Sequence, residues 1–70
     1  MGLGNSGLGE LVRLIQERTH NRVKDLQVEW NDGQFVLNGT VESYHLKQLA
    51  QHSVWDVMPD APLENGIVVD

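Results

Sequence analysis

Cysteine is absent from this chain of 70 residues, which excludes disulfide staples and thiolate metal sites alike. That absence is compatible with any redox compartment. Proline is scarce, with two residues at Pro59 and Pro62, so helix-breaking chemistry is confined to one short stretch. No apolar run approaches the roughly 20 residues a membrane helix needs, so the chain is not expected to be transmembrane. Basic residues are few, five against ten acidic, and the net charge of −5 argues against nucleic acid and anionic lipid as default partners. Residues 1–9 lack the positive start and apolar core of a secretory signal. As it stands the chain reads as cytoplasmic, and as periplasmic or envelope-associated if it is an excised domain.

What is present is a small folded domain. Hydrophobic content of 40 % is ordinary for a packed protein and too high for a disordered tail. A domain this size buries only about 60 % of its unfolded surface, and it has no disulfide to compensate. Residues 1–7 are glycine-rich and read as a flexible leader, which leaves residues 8–70 as a single domain.

The most informative stretch runs from Asp25 to Val41. Leu26, Val28 and Trp30 alternate on one arm, and Phe35, Leu37 and Val41 mark the other, a period of two that signals half-buried strands. Asn31-Asp32-Gly33 lies between them, and Asp32-Gly33 tolerates the positive φ of a tight hairpin turn. A helix is predicted before the hairpin, Leu8 to His20, with Leu8, Leu11, Val12, Ile15 and Thr19 on one face and Asn21 as its stop. After the hairpin Ser43 offers an N-cap for a second helix, whose inner face carries Leu46, Leu49, Ala50, Ser53, Val54 and Val57. Pro59 and Pro62 end it, and Leu63 to Val69 forms a closing strand. The expected fold is therefore α+β: an α-β-β-α-β two-layer sandwich, with a three-stranded sheet and two helices on one face. Leu11, Ile15, Val28, Leu37, Leu49, Ala50 and Ile67 are the expected core.

Val28-x-Trp30-x-Asp32-Gly33-x-Phe35-x-Leu37-x-Gly39-x-Val41 resembles the strand, Asp-Gly turn and Leu-x-Gly-x-Val of the BON domain, a small bacterial module often found in envelope proteins. Lys47 and Ala50 match the basic residue and alanine frequent in the family's second helix, and Leu63-x-Asn65-x-Ile67-x-Val69 mirrors its closing strand. The resemblance covers about Leu8 to Val69. It implies the same α-β-β-α-β order and a non-catalytic binding role, with phospholipid as a ligand class suggested for the family. Gly39 then suits a place where the second helix packs closely on the sheet, with the small Ala50 facing it. Pro59 and Asp60 stand where family members commonly carry Gly-Val, so the link between helix and last strand must run differently.

Several motifs fit structure better than chemistry. Gly2, Gly4 and Gly7 match a dinucleotide spacing with no preceding strand to deliver the loop, and Gly4 to Gly7 imitates a KH loop with no preceding helix. Met1-Gly2 with Ser6 fits a short acylation pattern, and Asn38-Gly39-Thr40 is a sequon in mid-strand. His52 and Asp56 are one helical turn apart, a metal-ligand spacing, but His45 lies two turns from His52, and solvated polar side chains are the plainer reading. Ser43 and Ser53 read as a cap and a core-face residue, and Glu29 and Asp32 as exposed carboxylates. No catalytic residue, metal site or cofactor is expected.

Two surfaces remain. Tyr44, Gln48, Gln51 and Trp55 fall opposite the second helix's inner face and form a candidate protein interface. In the alternative, Trp55 folds down against the Met58–Pro62 link. Arg18, Arg22 and Lys24, beside His20, form a candidate anion or lipid patch, or complement the first helix's C-terminal dipole. Docking of a protein partner is the expected function, phospholipid binding the alternative, and a metal site on the second helix a distant third.

Overall fold

A computed structural model describes the backbone of residues 3–70 and the side chains of residues 7–70. The order is α1 (Leu3–Arg18), β1 (Lys24–Asn31), β2 (Gln34–Val41), α2 (Tyr44–Val57), β3 (Leu63–Asn65) and β4 (Val68–Val69). Two helices and one mixed sheet make the protein α+β.

The first helix starts earlier than expected. Met1 and Gly2, with the patterns that depend on them, lie outside the described residues, but Leu3–Gly7, assigned above to a leader, belong to α1. No proline interrupts the chain ahead of Leu8, so a helix anchored by Leu11 and Ile15 extends backwards at one bond per residue. Its other end is a Schellman cap built without glycine. The Asn21 N–H donates to the Gln16 carbonyl at 2.7 Å and the His20 N–H to the Glu17 carbonyl at 3.3 Å. Both residues carry positive φ, 57° and 58° for His20 and Asn21.

The hairpin turn follows from its chemistry. Asp32 and Gly33 are the two central residues, with φ of 53° and 80°, and the paired sign matches the type I′ turn that suits twisted strands. Trp30 therefore lies opposite Phe35, and Val28 opposite Leu37. At the far end the register slips between Lys24 and Gln27, where Asp25 has a φ of 54°. This is a β-bulge, one extra residue on β1.

Gly39, with φ of 152°, answers that bulge. A Cβ there would lie 2.8 Å from Val23 Cγ1 and 3.0 Å from the Lys24 carbonyl oxygen. The close neighbour of Gly39 is therefore the β1 bulge, not the second helix expected to pack on it. Two backbones of the sheet meet where one of them has an extra residue to accommodate.

The closing strand is split into β3 and β4, both parallel to β2 and in the same register. Gly66 and Ile67 leave the ladder between them. The Gly66 N–H reaches the Leu37 carbonyl at 2.8 Å, and the Ile67 N–H donates to Asn65 Oδ1 at 3.1 Å. Asn65 Nδ2 donates to the Lys47 carbonyl at 3.0 Å, so one side chain ties the break in the strand to α2.

Leu11 and Ile15 of α1, Val28, Leu37, Val41 and Ile67 of the sheet region, and Ala50 and Val54 of α2 meet with Val23 in a single core. Leu49 is only half-buried, and Val57 is 56 % exposed, because Met58 packs against the core at the end of α2 instead. Thr19 and Ser53 are fully buried, their hydroxyls donating to the carbonyls of Ile15 and Leu49, both at 2.8 Å.

Candidate functional site

The link after α2 shapes a concave surface. Met58 caps α2 with φ −137° and ψ 79°, outside the helical region that a following proline disfavours. Pro59 then occupies the second position of a turn closed by the Ala61 N–H and the Met58 carbonyl at 3.1 Å. Trp55 Nε1 donates to the Ala61 carbonyl at 3.1 Å, and the Phe35 N–H donates to the Pro62 carbonyl at 2.9 Å. The link is thus pinned to α2 on one side and to β2 on the other.

Between link and hairpin lies an open groove of about 450 Å³, lined by Trp30, Phe35 and the segment Met58–Pro62. Trp30 and Phe35 pack edge to face with ring centroids 4.7 Å apart, and Trp30 remains 54 % exposed. Its volume falls within the roughly 300–1,000 Å³ of typical recognition pockets. The one charged side chain in its lining is acidic, Asp60.

The expected interface on α2 is dispersed. Tyr44 is 63 % exposed and Gln48 is exposed. Gln51 is half-buried and lies within 3.4 Å of Asn65 Nδ2. Trp55 is half-buried by the bond to the link, its ring edge-on to His52 at 6.0 Å. The alternative placement of Trp55 is the observed one, so these four residues do not form a continuous free stripe. Sequence reasoning passed over Trp30 and Phe35 as a binding surface. Their signal was present: residues flanking a two-residue turn must be cross-strand neighbours, and an exposed aromatic there presents a platform.

The basic corner is also rearranged. Arg18, His20 and Arg22 face Ser43, His45, Leu46 and Leu49 across a cleft of about 340 Å³. Ser43 caps α2 by accepting from the Leu46 N–H at 3.3 Å. The Arg18 guanidinium pairs with the Asp56 carboxylate. Lys24 lies outside the cleft, at the start of β1 opposite Thr40. Asp56 is thus paired with a cation, while the exposed His52 ring stands edge-on to Trp55. Among the described residues no group of three or more His, Asp or Glu side chains is placed to hold a metal ion. No helix among them is long and apolar enough to cross a membrane.

No family model, curated protein or solved structure matches the chain.

Proposed function

We propose that the chain is a non-catalytic binding module with a BON-like arrangement, in which the sheet carries both helices on one face, and that it docks a protein partner. The observation that carries this reading is the groove of Trp30, Phe35 and Met58–Pro62, an exposed Trp30 packed on a half-buried Phe35 beside a hydrogen-bonded proline turn. Aromatic rings supply large contact area at low entropic cost and are enriched where proteins meet. The shared core of α1, α2 and the sheet supports the two-layer arrangement. With Asp60 in the lining, the fitting partner is an apolar segment carrying a basic residue, whose cation gains from that carboxylate and the Trp30 ring.

The test is selection of peptides from a random library against the folded domain, followed by amide chemical-shift mapping. Selected sequences should be basic and apolar, shift Trp30, Phe35 and Ala61, and lose binding to Trp30→Ala but not to Tyr44→Ala. Selected peptides that map elsewhere would overturn the reading. The cleft of Arg18, His20, Arg22 and His45 favours a second reading, contact with phospholipid headgroups. Salt-sensitive shifts at Arg22 and His45 with anionic but not neutral vesicles would support that reading against the groove.

A further inference from the structure

Asparagine followed by glycine is prone to spontaneous deamidation, because a glycine nitrogen, unhindered by a side chain, reaches the asparagine Cγ. The dipeptide occurs twice in this chain, at Asn38-Gly39 and Asn65-Gly66. At the second site the fold requires both residues. Asn65 Nδ2 donates to the Lys47 carbonyl at 3.0 Å, and Asn65 Oδ1 accepts from the Ile67 N–H at 3.1 Å. A short side chain that donates and accepts at once is an amide, and a carboxylate cannot take both roles. A Cβ at residue 66 would lie 3.0 Å from the Leu37 carbonyl oxygen and 3.1 Å from Asn38 Oδ1, so glycine lets β2 approach. Packing therefore retains a pair of residues whose own chemistry works against it.

We propose that Asn65-Gly66 is a self-modification site: in the folded domain Asn65 converts to aspartate and isoaspartate ahead of Asn38, and the conversion releases the closing strand from α2. The Gly66 nitrogen attacks Asn65 Cγ, and its proton departs with the amide nitrogen, which leaves as ammonia and closes a succinimide. Water then opens either imide carbonyl, giving aspartate or, with an extra carbon in the main chain, isoaspartate. Water is the only co-reactant. In the closed state the Gly66 N–H is held by the Leu37 carbonyl at 2.8 Å and the amide is tethered at both ends, so ring closure waits until the strand lifts. β3 is three residues long and ends the order β1-β2-β3. Asn38 sits in the central strand, opposite Gln27 of β1, while the next residue but one, Thr40, pairs with Val68. Lifting β3 frees Asn65, whereas freeing Asn38 also requires the hairpin to part, a larger and rarer opening. After conversion a carboxylate oxygen replaces Nδ2 beside the Lys47 carbonyl and Gln51 Oε1, acceptor against acceptor, and the tie to α2 is lost. The reaction goes beyond the groove reading, since it needs no partner and uses none of the groove.

The test needs only the unmodified chain, incubated at mildly alkaline pH both folded and in urea. Peptide mapping by mass follows each site, since conversion replaces NH2 by OH. In urea the two sites should convert at rates within about threefold of each other, because glycine follows both asparagines. In the folded domain Asn65 should convert at least about tenfold faster than Asn38. Converted protein carries an added negative charge, so anion exchange separates it from the parent. Its Gly66 amide should then exchange hydrogen at least about tenfold faster than in the parent, while the Val28 and Trp30 amides of the hairpin keep their rates. Conversion of Asn38 as early as Asn65 in the folded domain overturns the proposal. So does a folded chain whose two sites stay intact long after the unfolded chain has converted. Converted protein with an unchanged Gly66 amide would overturn the release of the strand.

Discussion

Gly39→Ala should be the most damaging single methyl in the sheet. Its φ of 152° lies in a region side chains rarely enter, and holding a non-glycine residue there costs about 1–3 kcal/mol. The new Cβ would meet Val23 Cγ1 at 2.8 Å and the Lys24 oxygen at 3.0 Å. Val23 is buried and the oxygen belongs to backbone, so relief requires movement of the bulge, a further cost of about 1–3 kcal/mol. The total of about 2–6 kcal/mol is set against a stability of about 3.5–10 kcal/mol for 70 residues at ordinary values per residue. The melting temperature should fall by about 10 °C or more. Urea and thermal unfolding followed by circular dichroism measure this directly. Gly33→Ala is the comparison: its φ is 80° but nothing lies within 4 Å, so it should cost only about 1–2 kcal/mol of backbone strain. A double-mutant cycle with Val23→Ala should show a favourable coupling on the order of 1 kcal/mol, because the smaller side chain relieves the clash. A loss below about 0.5 kcal/mol for Gly39→Ala would refute the reasoning. Coupling to Ala50→Gly in place of Val23→Ala would return the close contact to the helix.

Asn65→Ala should cost about 1–3 kcal/mol in urea unfolding, since it leaves the Ile67 N–H without its acceptor and frees the Lys47 carbonyl. Trp55→Phe should cost about 0.5–1.5 kcal/mol through the lost bond to Ala61, and hydrogen exchange of the Ala61 amide should quicken as the link loosens. Arg18→Ala and Asp56→Ala should each change stability by less than about 1 kcal/mol, because both partners of that ion pair are exposed; thermal melts at low and high salt check it.

Local chemistry carried the parts of the fold that depend on neighbours in sequence. Asp32-Gly33 announces its own turn because few residues accept positive φ twice in succession, and Ser43 announces the start of α2 because a hydroxyl satisfies an orphan N–H. Leu11, Ile15, Val28, Leu37, Ala50 and Ile67 are legible as core from periodicity alone. What escaped is decided by distant partners. The break at Gly66–Ile67 depends on Asn65 reaching α2, which no pattern within Leu63–Val69 reveals. Gly39 was assigned the wrong neighbour because the bulge opposite it arises from Asp25, a residue with no strong turn signature in a charged context. Trp55 was placed outward by its position on the helical wheel. The carbonyl that holds it belongs to Ala61, four residues after α2 ends, too late for periodicity to register.

The common register of β3 and β4 on β2 has a consequence for how the chain folds. In each pair the partners are 28 residues apart, Phe35 with Leu63 and Val41 with Val69 alike, whereas the other side of β2 closes through a two-residue turn. A tight hairpin forms within about 1–10 μs, while the distant pairing must first bear the entropy of a loop that contains all of α2. The hairpin is therefore the natural nucleus and the last strand the latecomer. The same asymmetry orders the opening of the native state. The bond from the Asp70 N–H to the Val41 carbonyl gives way first, and the turn at Asp32-Gly33 holds on until the chain unfolds as a whole.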